Sequence, residues 1–157
     1  DIYPFEGVYP ISVLENKNTD ILLNDILKYI PIGPKYYPDD MVSDHSPSFI
    51  VSELIREKIL KLTDEEVPHS IAVSVDMTKE SENDYLDIYA NIYVERESQK
   101  KIIIGKDGDM IKKIKEESVK EIKHFLERKI HLILWVKVKK DWKNKPLELN
   151  YLGYKKE

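Results

Sequence analysis

Three stretches of the chain alternate apolar and polar residues, the pattern of a β-strand that buries one of its two faces. The first runs from Ile71 to Met77, the second from Tyr85 to Val94 and the third from Ile130 to Val138. Their apolar positions, which we expect to face a common core, are Ile71, Val73, Val75, Met77, Leu86, Ile88, Ala90, Ile92, Val94, Ile130, Leu132, Leu134, Val136 and Val138. The polar residues 78–84 between the first two stretches predict an antiparallel hairpin.

The segments around these strands carry apolar residues at helical spacing. Residues 47–62 predict a helix that begins at Ser46 and Pro47, a capping hydroxyl followed by a proline in the first turn. A short helix at about 98–104 and a long one ending near Lys129 follow the hairpin. The order helix, strand, strand, helix, helix, strand predicts an α+β fold in which helices cover one face of a three-stranded sheet.

The opposite face of the predicted sheet is rich in aromatic side chains. These are Tyr85, Tyr89, Tyr93, His131 and Trp135. They could stack nucleic-acid bases. Aromatic residues on the outer face of a sheet more often form cross-strand pairs or a docking surface, and we favour that interpretation.

The N-terminal part of the chain predicts too few elements for a core of its own. Residues 8–13 predict a strand, and Thr19–Ile30 predicts an amphipathic helix. One strand and one helix cannot bury a core, so we expect the end of a larger domain or an element docked on the next one. Prolines and a glycine within 31–46 predict a linker.

Composition indicates a globular protein. Of the 157 residues, 41% are hydrophobic and 34% are charged, which is too apolar for a disordered chain. No apolar run approaches the roughly 20 residues of a membrane span, and the N-terminus lacks a basic region followed by an apolar one, so we expect neither secretion nor membrane insertion. The sequence has no cysteine, which excludes disulfides and thiolate metal sites and fits a reducing cytosol.

Charge is distributed unevenly along the chain. The net charge of −4 divides into +8 over residues 96–145, from 16 basic and 8 acidic residues, and −12 over the rest, from 9 basic and 21 acidic residues. Such asymmetry is typical of a face that binds a polyanion. The alternative is a solvated helix whose lysines are partly paired with Glu116, Glu117 and Glu121.

The candidate site lies inside this basic segment. The apolar run Ile102–Ile104 is followed by Gly105 and Gly108 and then by a lysine-rich amphipathic helix. Glycines at this spacing let another backbone approach closely, and the N–H groups and positive dipole end of the next helix face the opening. The pattern predicts a site for a phosphate chain. The alternative is a helix C-cap glycine followed by a turn glycine.

Other kinds of site find little support in the sequence. The histidines are isolated, with no two at metal-ligand spacing: His45, His69, His124 and His131. The acidic runs 64–66 and 80–84 are interpreted as solvated loops. No Gly-x-x-x-x-Gly-Lys-Ser/Thr motif occurs, so nothing here cradles the phosphates of a nucleotide, and we expect the chain neither to bind nor to hydrolyse GTP.

Several runs of residues resemble the C-terminal part of the Era family of bacterial ribosome-assembly GTPases, and the order of elements matches a type II KH domain. These runs are Tyr36–Asp40, Ile55–Lys58, Ile92–Lys100, Ile104–Lys106, Leu134–Trp142 and Leu152–Tyr154. The resemblance covers nearly the whole chain. The runs taken together are far more specific than the glycine loop alone.

The resemblance implies three parts. Residues 1–33 would be the C-terminal remnant of a P-loop GTPase domain, its last strand and helix, residues 34–46 a linker, and residues 47–157 a type II KH RNA-binding domain. Ser12 and Val13 would belong to the guanine-contacting loop of the full-length parent, although the family usually has alanine at the second position. This chain would need no cofactor, whereas the parent would be a GTPase that uses GTP and Mg.

The resemblance also implies how the glycine loop acts. KH domains clamp the backbone of about four single-stranded nucleotides on a Gly-x-x-Gly loop. The candidate RNA-binding residues are therefore Lys100, Lys101, Ile103, Ile104, Gly105, Lys106, Asp107, Gly108, Ile111, Lys112 and Lys113. The lysines would neutralise phosphates, and the isoleucines would either lie under the bases or belong to the helix core. Asp107 departs from the glycine common in the family and puts a carboxylate into the clamp.

The target implied by the resemblance is the single-stranded 3′ end of small-subunit ribosomal RNA during assembly of the small ribosomal subunit. The implied location is the cytoplasm, with peripheral association at the inner face of the cell membrane. We expect a monomer and no DNA partner. The competing function is a KH-like protein-docking module without specific RNA binding, which would use the aromatic sheet face or the acidic first half of the chain.

Overall fold

A computed structural model describes residues 3–39, 43–63 and 71–152. The chain divides into two compact units, Asp1–Val42 and Ser43–Glu157. Some residues discussed above lie outside the described part of the chain: the acidic run 64–66, His69, Asp40, Gly153 and Tyr154.

In the first unit, helix α1 lies at Thr19–Tyr29, close to its predicted bounds. The prediction of a strand at residues 8–13 is wrong, because the described residues there form only a single antiparallel bridge between Ser12 and Lys17. A strand needs a neighbour for its backbone hydrogen bonds, and none lies alongside these residues in the part that the structure describes. No residue of α1 is buried, so its apolar stripe has no core beneath it in this unit.

A tyrosine–carboxylate contact ties the irregular segment of the first unit to α1. The Tyr9 hydroxyl donates a hydrogen bond to the Asp25 carboxylate, which raises the pKa of Tyr9 to about 12. Lys28 approaches the same carboxylate at 2.7 Å and, with Tyr9, lowers the pKa of Asp25.

The second unit begins with helix α2 at Pro47–Leu62, as predicted. The Ser46 side chain accepts a hydrogen bond from the Phe49 N–H at 3.2 Å, so the cap and the following proline define the start of the helix. The helix buries Val51, Ile55 and Ile59 against the sheet and the later helices.

The three-stranded sheet has the order β1-β2-β3, with β1 at Ala72–Glu80, β2 at Tyr85–Val94 and β3 at Lys129–Val138. β1 pairs antiparallel with β2, and β2 pairs parallel with β3. A parallel pair needs a long crossover, and α3 at Glu97–Ile104 with α4 at Asp109–Leu126 supplies it. The α+β architecture and the order of its elements are confirmed.

A further short helix, α5, lies at Pro146–Tyr151 and was not predicted. Pro146 stands in its first turn, which is a start signal, but six residues are too few to show a helical period. Within the described part of the chain, no helix is both long and apolar enough to cross a membrane.

The core of the second unit lies between one face of the sheet and helices α2, α3 and α4. Its fully buried side chains are Ile55, Ile59, Ile88, Ile92, Val94, Ile103, Ile114, Ile122 and Leu132. The predicted inward positions of β2 and β3 therefore face the core, although several at the sheet margin are only partly buried.

Met77 does not face the core as predicted. The pairing between β1 and β2 shifts register between Val75 and Met77, which is a β-bulge at Asp76. A bulge adds one residue to one strand, so every later side chain moves to the opposite face. Met77 accordingly lies opposite Tyr89 and is 51% exposed.

The outer face of the sheet carries cross-strand aromatic pairs, as the favoured interpretation predicts. Tyr85 stacks on His131 with ring centres 4.3 Å apart, and Tyr89 stacks on Trp135 at 5.9 Å. Tyr93 differs because it is buried in a second small cluster with Ala72, Leu149, Trp142 and Leu152. The C-terminal segment with α5 therefore covers one end of this face and leaves the two stacked pairs at the other.

Candidate nucleic-acid interface

The loop between α3 and α4 has a backbone that only glycine can adopt at its first position. Gly105 has φ 75° and ψ 178°, and its N–H donates to the Lys101 carbonyl at 2.9 Å, which ends α3. A Cβ on Gly105 would lie 2.6 Å from the Cβ and 2.8 Å from the backbone nitrogen of Met110. Gly105 is therefore required for the close contact between the loop and the first turn of α4.

The next three residues form a single tight turn. Asp107 has φ 53° and Gly108 has φ 81°, both in the left-handed region, and the Gly108 N–H reaches the Gly105 carbonyl at 3.4 Å. A Cβ on Gly108 would meet only the Ile111 Cγ2, at 3.9 Å. The space beside Gly108 is therefore open to an approaching backbone.

Helix α4 presents its N-terminus at this opening. Gly108 is its cap residue, and no side chain of the described residues caps the first N–H groups. The unpaired N–H groups of the first turn and the positive end of an 18-residue helix favour an anion at this point.

The short helix α3 is fixed by a buried glutamine. The Gln99 side-chain oxygen accepts hydrogen bonds from the N–H groups of Glu95 and Arg96, both at 3.0 Å, and Gln99 is only 4% exposed. This cap holds the start of α3 against the end of β2. The loop at the other end of α3 is therefore mounted on a rigid element.

The predicted lysines lie around the loop. Lys101, Lys106, Lys112 and Lys113 are exposed, and Lys100 is half-buried. Lys112 lies 3.7 Å from Asp109, whereas Lys106 and Lys113 have no ion pair among the described residues. The arrangement gives an excess of positive charge beside the helix N-terminus.

The predicted isoleucines do not share one role. Ile103 is fully buried in the core, which fits the helix-core alternative and excludes contact with bases: it supports the loop from beneath. Ile104 and Ile111 are half-buried beside the loop. Ile102 is 46% exposed, and its place in a continuous apolar run hid this from the sequence analysis.

A groove of about 630 Å³ runs between α4 and β3. Its lining residues are Lys112, Lys115, Glu116, Val119, Lys120, Ile130, His131 and Leu132. Apart from Lys112, these residues were not predicted to belong to the site. Residues 112, 115, 116, 119 and 120 lie on one face of α4, next to its buried face, as their helical spacing indicates. Only the fold shows that this face lies against the edge strand β3.

The acidic residues of α4 differ in where they point: Glu121 pairs away from the groove, whereas Glu117 pairs with a lysine that lines it. Glu121 pairs with Lys58 of α2 at 3.1 Å, on the side of α4 away from β3. Glu117 accepts from Lys120 at 2.6 Å, which lowers the pKa of Glu117. The predicted pairing of α4 lysines with acids is thus partly correct, while the groove itself is lined by three lysines and one acid, Glu116.

The predicted guanine-loop residues lie in the first unit. Ser12 accepts a hydrogen bond from the Glu15 N–H at 3.3 Å, and Val13 is 78% exposed. A nucleotide contact at Ser12 and Val13 stays a prediction. Among the residues that the structure describes, no group of three or more histidine, aspartate or glutamate side chains is placed to hold a metal ion.

Comparison with known proteins points to one family. A KH domain model matches residues 66–143. Over 94% of its length, the chain is similar to a solved structure of an Era variant from Aquifex aeolicus bound to GDP and aluminium fluoride, with 41% identity and a TM-score of 0.86. It is equally similar, with 41% identity, 94% coverage and a TM-score of 0.87, to a structure of Era with MgGDPNP and nucleotides 1506–1542 of 16S ribosomal RNA. The chain spans 50% and 49% of the lengths of these two proteins.

Proposed function

Because this chain belongs to the KH-domain family and matches the C-terminal part of Era, we propose that it binds single-stranded RNA in the groove between α4 and β3. The observation that carries the proposal is the continuity of three features. The glycine loop, the uncapped N-terminus of α4 and the lysine-lined groove adjoin one another. Together they offer a backbone clamp followed by a channel for bases.

The clamp acts on the RNA backbone. Gly108 leaves room for a ribose-phosphate unit, and the first-turn N–H groups of α4 donate to its phosphate oxygens. Lys106 and Lys113 add positive charge from exposed positions on either side. These contacts are independent of base identity, so they fix the position of the strand and do not select its sequence.

The channel acts on the bases. Val119 from α4 gives it a half-buried apolar side chain above the buried Ile130 of β3, and Ile104 and Ile111 are half-buried close to the loop. β3 is an edge strand, so its outward N–H and C=O groups have no sheet partner in the described part of the chain. Backbone groups of this kind can pair with the edges of unstacked bases, which gives the RNA its register.

The target proposed for the whole protein is the 3′ end of small-subunit ribosomal RNA. Support comes from the Era structure that contains nucleotides 1506–1542 of 16S ribosomal RNA, at 41% identity. In that proposal the parent protein binds and hydrolyses GTP with Mg, acts in assembly of the small ribosomal subunit, and works in the cytoplasm as a monomer with peripheral attachment to the inner face of the cell membrane.

Salt dependence separates RNA binding from the competing docking function. If the groove neutralises about four phosphates, affinity for a short single-stranded RNA falls about 50-fold between 50 and 200 mM salt. Binding of a protein partner through an apolar sheet face changes far less over this range. Fluorescence anisotropy at several salt concentrations gives the slope, and a slope near zero contradicts the phosphate clamp.

Substitution of Asp107 tests the acid in the loop. Its carboxylate is exposed beside the clamp, so Asp107→Asn and Asp107→Gly are both expected to tighten RNA binding about two- to fivefold by removing repulsion. Only glycine also relieves the left-handed backbone at φ 53°, which adds about 1 kcal/mol of stability. Affinity and urea unfolding are measured for both variants. Unchanged affinity in both would mean that the carboxylate lies away from the RNA backbone.

A further inference from the structure

The two stacked pairs on the outer face of the sheet form a surface that the groove does not account for. We call Tyr85, Tyr89, His131 and Trp135 the aromatic face. His131 is exposed and Trp135 is 46% exposed, while Tyr85 and Tyr89 are half-buried. Each pair joins β2 to β3, so the rings stand beside the edge strand of the sheet.

His131 connects this surface to the groove. It lines the groove between α4 and β3, and its ring also stacks on Tyr85 of the outer face at 4.3 Å. Its Nδ1 lies 3.0 Å from the Asp87 carboxylate, which holds the ring in this position. An RNA strand that leaves the groove over β3 would therefore reach the aromatic face directly.

Charged groups of both signs surround the aromatic face. Its carboxylates are hydrogen-bonded: Asp87 contacts His131, and Asp76 accepts from Ser74 at 2.7 Å and from Asn91. Glu80 accepts two hydrogen bonds from Arg128, at 3.0 and 2.7 Å. The lysines on the same side of β3, Lys129 and Lys137, are exposed at its two ends, with Lys129 lying 5.8 Å from the Tyr85 ring centre.

We infer that the aromatic face is a second contact for single-stranded RNA, on which bases beyond those held in the groove stack as the strand passes over the β3 edge. This inference rests on the proposed function, because the groove supplies the anchor. Aromatic rings accept any base on their faces, and adjacent lysines hold the connecting phosphates. The surface therefore lengthens the bound segment and adds affinity with little sequence preference.

Oligonucleotide length tests this inference. A four-nucleotide RNA fills only the clamp and groove, whereas RNAs extended by four nucleotides at either end also reach the aromatic face. Trp135→Ala is expected to lower the affinity for the extended RNA that binds better by at least fivefold. The affinity for the four-nucleotide RNA should stay unchanged. Trp135→Phe, which keeps an aromatic ring, is expected to restore most of the lost affinity. Thermal unfolding of both variants checks that the sheet is intact.

Tryptophan fluorescence supplies a second readout. Trp135 is 46% exposed and Trp142 only 4%, so a base that stacks on the aromatic face contacts Trp135. The extended RNA is therefore expected to quench the fluorescence of Trp135, and the four-nucleotide RNA is not. Unchanged affinity of Trp135→Ala for the extended RNA, or equal weakening of both RNAs, would overturn the inference. Failure of the unaltered protein to bind either RNA would overturn the proposed function, and the inference with it.

Discussion

Replacement of Gly105 by alanine is expected to lower the free energy of unfolding of the second unit by about 3 kcal/mol. The backbone at φ 75° and ψ 178° is almost closed to residues with a Cβ, and the added carbon would lie 2.6 Å from the Met110 Cβ. Relief requires the loop to move away from the first turn of α4. RNA affinity should therefore fall as well, because the clamp loses its shape.

Gly108→Ala is the matched control for this prediction. Gly108 also has a positive φ, 81°, but its added Cβ would meet only the Ile111 Cγ2 at 3.9 Å. The expected loss is therefore the conformational cost alone, about 1 kcal/mol. Urea unfolding measures both variants. Equal losses at the two positions would contradict the close packing of Gly105 on Met110.

The second large effect is expected from Lys106→Glu. Lys106 is exposed between the two glycines of the loop, and the substitution would place two acids side by side with Asp107. Loss of one charge-assisted phosphate contact and gain of repulsion amount to about 2 kcal/mol, or roughly a 30-fold loss of RNA affinity. The fold should tolerate the change because the Lys106 side chain has no ion pair or hydrogen bond within the described residues.

Lys61→Glu is the matched control, because it changes the net charge by the same amount as Lys106→Glu. Lys61 is exposed in the last turn of α2, where its partner is Glu57 of the same helix. α2 packs on α4 and β1, away from the β3 side that forms the groove. RNA affinity is expected to change less than twofold, so a loss specific to Lys106 is not a consequence of net charge.

The parts of the fold that follow a local period were predictable. The helix at Pro47–Leu62 and the strand at Tyr85–Val94 match their predicted bounds because cap, proline and alternation are all encoded in adjacent residues. The glycine loop was also predictable as a backbone feature. The close contact between Gly105 and Met110 was not predictable, because it depends on the angle between α3 and α4.

The errors come from interactions between distant residues. Met77 turned outward because of a bulge at Asp76, whose carboxylate accepts from Asn91 of the neighbouring strand. Tyr93 is covered by a C-terminal segment with weak helical signals, and residues 8–13 lack a described strand to pair with. The groove was missed for the same reason, since it exists only where α4 meets the edge of β3.

The loop from Gly105 to Gly108 is proposed to clamp an RNA backbone. The most direct test is the affinity of the unaltered chain, Lys106→Glu and Lys61→Glu for one short single-stranded RNA of the 16S 3′ end, at one fixed salt concentration. If the loop is the clamp, Lys106→Glu loses RNA affinity about 30-fold with unchanged thermal unfolding, and Lys61→Glu loses affinity less than twofold. Retained affinity in Lys106→Glu, or an equal loss in the two variants, would contradict the proposal.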